Sequence, residues 1–125
     1  MLHSILAISV GASTGAVLRW ALGARFNHII PTLPLGTLAA NLIGGYLIGL
    51  AIEYFGSNPS LPPEWRLFVI TGFLGGLTTF STFSAEVVAL MQRGQMVWAF
   101  GVVSLHVLGS LALTMAGIAT VSLIR

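Results

Sequence analysis

The chain of 125 residues is 56% hydrophobic and only 6% charged, where an ordinary soluble domain carries about a quarter charged residues. So apolar a surface would not stay wetted without aggregating, and lipid is the solvent that fits it. The net charge of +2 comes from five Arg against three Glu, with no Lys or Asp, and Arg19, Arg25, Arg66, Arg93 and Arg125 are scattered rather than gathered into the basic stripe of a nucleic-acid binder, so no nucleic-acid partner is expected.

A helix needs about 20 mostly apolar residues to cross the hydrocarbon core. Four stretches qualify, at about residues 2–24, 35–55, 65–91 and 96–124. The start, Met1-Leu2-His3-Ser4, has no basic residue before the apolar run, so the first stretch reads as a retained membrane helix rather than a secretory signal. The breaks are short. Asn27, Pro31 and Pro34 mark the first, Gly56 to Pro63 the second, and Gln92-Arg93-Gly94-Gln95 the third. The expectation is one all-α integral membrane domain over residues 1–125. With no cysteine there are no disulfides or thiolate metal sites.

Orientation follows the excess of Lys and Arg in cytoplasmic loops. Arg25 and Arg93 share one side, Arg66 and Arg125 the other, and Arg19 lies inside the first span. Such a chain has little preference for either direction, which makes an antiparallel homodimer available. The alternative is an orientation fixed by Arg19 or by partners. The pairs Gly11/Gly15, Gly45/Gly49 and Gly72/Gly76 have the GxxxG spacing that lets helix backbones approach in lipid, for packing or for dimerisation.

In the second span Asn41 brings an amide that needs partners at that depth. The third span is the unusual one. Gly72, Gly75 and Gly76 precede a run of hydroxyl side chains, Thr78, Thr79, Ser81, Thr82 and Ser84, where hydrocarbon is expected. Glycine weakens a helix and hydroxyls compete for its hydrogen bonds, so a break is predicted around residues 75–79. Non-helical backbone at that depth is tolerated where protein buries it or it lines a wet cavity. The competing account is an unbroken helix whose hydroxyls bond back to their own carbonyls.

Phe80 and Phe83 fall on one helical face, with Ser81 and Ser84 a neighbouring pair. A phenyl ring has a positive edge that an anion can pass without tight binding, although membrane Phe residues commonly just pack. In the fourth span His106, Ser110 and Thr114 form a polar stripe, suited either to ions or to interhelical bonding. Arg19 and Glu86 are the charges set furthest into spans, hence functional candidates, and Arg19 is also placed to snorkel. No carboxylate pair or metal cluster is visible, so no enzyme is expected.

The segment from Gly72 through Thr79-Phe80-Ser81-Thr82-Phe83-Ser84 resembles the signature of the Fluc (CrcB) fluoride channels. So do Gly15 to Trp20, Gly36-Thr37 through Asn41, and His106 to Ser110, and the likeness runs over all four spans in order. The resemblance implies passive, selective export of fluoride down its electrochemical gradient across a bacterial inner membrane, lowering cytoplasmic fluoride. It implies an antiparallel, dual-topology homodimer in lipid with two pores. Phe80 and Phe83 would line a pore, with Asn41 a donor, Ser110 a lining hydroxyl, and Ser81, Thr82, Ser84 and Thr114 a hydroxyl track. Arg19 would sit near the vestibule, with Glu86 following the motif. Backbone carbonyls of Gly75 and Thr78 would hold a structural Na⁺ at the dimer centre. His106 would line the pore too, although at this position the chain departs from members with Asn or Tyr. The rival readings are a small ion-coupled transporter using Glu86, and a structural subunit without transport.

Overall fold

A computed structural model describes all 125 residues as helices and short connections. Helix α1 covers Leu2–Phe26, α2 Leu35–Ser57, α4 Phe80–Gln92 and α5 Met96–Ile124. Between α2 and α4 lies α3, residues 63–77, which opens with a helical turn at Pro63–Arg66. It widens to a π-helix at Leu67–Leu74 and closes with Gly75–Leu77. Together α3 and α4 make one span, so four segments are long and apolar enough to cross a membrane, within two residues of the expected limits at each end.

Exposed aromatic side chains mark both edges of the bilayer. Trp20 and Trp98 stand at the end carrying the first and third loops, Tyr54 and Trp65 at the other, as an aromatic belt requires. Only 19 of 125 residues are buried. The exposed Val10, Val17, Phe100, Leu108 and Met115 would be costly in water and cost nothing against lipid.

The helices pack as two close pairs, α1 on α3 and α2 on α5. Small residues make both possible. A Cβ on Gly15 would run into the Phe73 carbonyl and reach the Leu77 nitrogen at 2.7 Å, and one on Gly76 would meet the Ala12 backbone. In the second pair a Cβ on Gly49 would strike the Thr114 carbonyl, and one on Gly117 the Tyr46 carbonyl. The three GxxxG pairs are therefore consumed in packing within the protomer, and none is left over for dimerisation. At the far end Arg125 bonds Ser57 and pairs with Glu53 at 2.7 Å, joining the ends of α2 and α5.

The third span breaks, but over fewer residues than expected. Gly75 and Gly76 stay helical, and only Thr78 and Thr79 adopt extended backbone, with ψ of 155° and 119°. The reason is local. The Thr78 hydroxyl turns back to the Leu74 carbonyl at 2.8 Å, ending α3, while Thr79 Oγ1 accepts from Thr82 N at 3.1 Å and caps α4.

Candidate functional site: a cavity at a broken helix

Breaking a helix strands backbone groups that lipid cannot satisfy. In an unbroken span Thr79 N–H would bond the Gly75 carbonyl, Phe80 N–H the Gly76 carbonyl, and Thr82 N–H the Thr78 carbonyl. Here Thr79 N–H goes to Asn41 Oδ1 at 2.8 Å, and Asn41 Nδ2 returns to the Thr79 carbonyl at 3.0 Å. Asn41 thus pairs with Thr79 as a neighbouring strand residue would. The Gly76 carbonyl takes its hydrogen bond from Arg19 Nε at 2.9 Å, a cation at the negative end of a half-helix. The N–H groups that would have met the Gly75 and Thr78 carbonyls are both diverted, to Asn41 and to Thr79 Oγ1.

Around the break opens a cavity of about 440 Å³. It is lined by Asn41 from α2, Gly75 and Thr78 from α3, Phe80 and Phe83 from α4, and His106 and Ser110 from α5. The Phe rings meet edge to face, 5.4 Å apart at 75°. They differ sharply in setting, for Phe80 is 77% exposed and Phe83 only 7%. Phe83 also lies on the His106 ring, with centroids 4.5 Å apart.

On the other side of the break a second cavity of about 360 Å³ is lined by Arg19, Asn27, Thr37, Thr79 and Thr82, among others. Thr79 borders both cavities, so the Asn41–Thr79 pair stands between them. Beside this cavity runs a polar chain. Asn27 Oδ1 accepts from Thr37 N at 3.0 Å, Asn27 Nδ2 donates to Thr37 Oγ1 at 3.3 Å, and Thr37 Oγ1 donates to Glu86 Oε2 at 2.7 Å. Glu86 Oε1 is buried without a partner.

The structure sorts the residues singled out in the sequence. It gathers Phe80, Phe83, Asn41, His106, Ser110, Gly75 and Thr78 at the first cavity, and Arg19 and Thr82 at the second. Thr114 lines neither, and its hydroxyl donates to the Gly45 carbonyl at 2.9 Å, so at this position the stripe of α5 serves interhelical bonding. Ser81 is exposed and shares a 3.3 Å contact with Thr79 Oγ1. Ser84 borders neither cavity. Both N–H groups of Asn41 are engaged within the chain, on the Thr79 carbonyl and on His106 Nδ1.

Sequence reasoning missed the parts played by Asn27, Thr37 and Thr79. Thr79 was findable, because a Thr after a predicted break and before an apolar helical run is a cap signal. Asn27 was not, since it caps α2 from the preceding loop, by a contact across ten residues.

Four apolar spans, one of them interrupted beside two cavities, define a small multi-pass integral membrane protein of the broken-helix kind. Residues 6–118 match the family described as CrcB-like protein, Camphor Resistance (CrcB). A protein of Tolumonas auensis named Fluoride-specific ion channel FluC is 65% identical over 125 residues, covering 100% of this chain and 98% of that one. Proteins of the same name from Pseudomonas syringae pv. maculicola and Pseudomonas putida are 60% and 64% identical, covering 99% and 96% of this chain and 98% and 94% of their own lengths. The chain belongs to the CrcB family.

Proposed function

We propose that the protein is a passive, fluoride-selective channel, exporting the ion down its electrochemical gradient across a bacterial inner membrane and so lowering cytoplasmic fluoride. The observation that carries the reading is the broken third span, with Phe80 and Phe83 edge to face at a cavity that Asn41, Thr78, His106 and Ser110 also line, in a chain so similar to proteins named as fluoride-specific channels. Conduction needs weak sites in series, with donors enough to replace water and none strong enough to hold the ion. Ring edges, hydroxyls of Ser110 and Thr82 and the imidazole of His106 meet that need better than a buried Arg in the path. Ion passage makes and breaks no covalent bond, so the protein is no enzyme.

The assembly proposed is an antiparallel, dual-topology homodimer with two pores. Phe80 is 77% exposed at the rim of the cavity, and a second copy would supply the wall that one protomer lacks there. A structural Na⁺ at the dimer centre belongs to the same proposal, and the donor chemistry supports it. The Gly75 and Thr78 carbonyls have lost their helical N–H partners, and hard cations take oxygen ligands. Two protomers would double that set. Held by these carbonyls, such an ion would supply fixed positive charge there.

Purified protein in liposomes, followed with a fluoride electrode, should release fluoride and retain chloride without a proton gradient. Phe80→Ile and Phe83→Ile should assemble and lose most of that flux, and unchanged flux would take both rings out of the pore. Glu86 keeps open one rival, a proton-coupled carrier, because its Oε1 is buried and unpaired. Flux that needs a proton gradient and vanishes in Glu86→Gln would favour that carrier.

A further inference from the structure

The bonds around Asn41 fix the place of a hydrogen on a different residue. A backbone N–H can only donate, so the 2.8 Å contact from Thr79 N identifies the accepting atom of Asn41 as Oδ1. The amide nitrogen is then the atom facing both the Thr79 carbonyl and His106 Nδ1, each at 3.0 Å. That nitrogen brings two hydrogens and accepts nothing. His106 Nδ1 must therefore be the acceptor, bare of hydrogen, and the ring hydrogen sits on Nε2. Which imidazole nitrogen carries the proton is ordinarily a matter of assignment. In this chain the peptide group of Thr79 decides it, through one amide.

The resulting donor has no partner. Nε2 is buried and makes no hydrogen bond, on a side chain only 4% exposed that borders the cavity with Phe83 and Ser110. Asn41, by contrast, has spent both N–H groups inside the chain and has none to offer an ion.

We propose that Asn41 is a positioning residue whose amide holds His106 in its Nε2–H tautomer, making the imidazole N–H the donor that meets the passing anion. The inference rests on the fluoride-channel reading above and assigns the donor within it. A single N–H without fixed charge replaces part of an anion's hydration and lets it go again, as conduction requires. Because Nε2 has no exposed surface, the ion reaches it only as a neighbouring side chain turns aside.

The test is nitrogen NMR of the full-length protein, labelled at histidine, in liposomes. The double variant His3→Gln/His28→Gln, at two exposed positions, leaves His106 as the only signal. A bare Nδ1 and a protonated Nε2, with the Nε2 resonance shifting on sodium fluoride and not on sodium chloride, support the proposal. A protonated Nδ1 overturns the lock, and an Nε2 indifferent to fluoride overturns the donor role. In Asn41→Asp an acceptor oxygen replaces Nδ2 and should draw a hydrogen onto Nδ1, and an unchanged tautomer would count against the proposal. Efflux from the same liposomes separates the failures. Fluoride efflux beside an indifferent Nε2 sinks this inference alone, whereas no efflux removes the channel reading and the donor role with it.

Discussion

Asn41 restores with one side chain two hydrogen bonds that the third span gives up when it breaks, those of the Thr79 N–H and carbonyl. Leaving either group unpaired at that depth costs about 1–3 kcal/mol, so Asn41→Ala should destabilise more than loss of the neighbouring cap. Thr79→Val removes the Oγ1 acceptor of Thr82 N–H, worth about 1 kcal/mol, together with the exposed contact to Ser81. Thermal unfolding of the two variants in detergent compares them, and a Thr79→Val melting at or below Asn41→Ala would show that the amide does not hold the break. The sequence made Asn41 legible as a polar group in need of partners, because any amide in hydrocarbon is. It did not say that the partners were one peptide group and one imidazole, since pairing across residues 41, 79 and 106 depends on how α2, α4 and α5 face one another.

The same division between local and tertiary signals governs the helices. Apolar length placed all four spans, and the glycine and hydroxyl run placed the break, because both are properties of a few consecutive residues. The π-helix of Leu67–Leu74 had no such mark, being an extra residue accommodated where α3 lies along α1. Nor did the glycine pairs announce whether they serve this chain or a second copy. Their neighbours answer it and supply a paired prediction. Gly15→Ala puts a methyl into the Phe73 and Leu77 backbone, and overpacking of this kind costs about 1–3 kcal/mol. Gly101→Ala, within α5, meets nothing within 4 Å and should gain up to about 1 kcal/mol from helix propensity. Melting temperatures that move the same way for both would contradict the assignment of Gly15 to the α1–α3 seam.

For the whole molecule the question is which way the chain faces. The arginines leave two on each side, and pairing of Arg125 with Glu53 changes little, because acids weigh weakly in setting orientation. An antiparallel dimer needs both orientations in one membrane. The chain has no cysteine, so Ser60→Cys in the second loop and Gln92→Cys at the end of α4 report sidedness without background. An impermeant maleimide applied to intact cells should label about half of each, as an unbiased orientation demands. Complete protection of one position with full labelling of the other would sink dual topology. Adding two Lys to the second loop of one copy, and two to the third loop of another, should force opposite orientations. Each copy expressed alone would then lack an antiparallel partner and conduct nothing, while the two together recover fluoride efflux. Recovery would tie function to the pair of orientations, and full activity from either copy alone would mean that a chain facing one way builds the pore by itself.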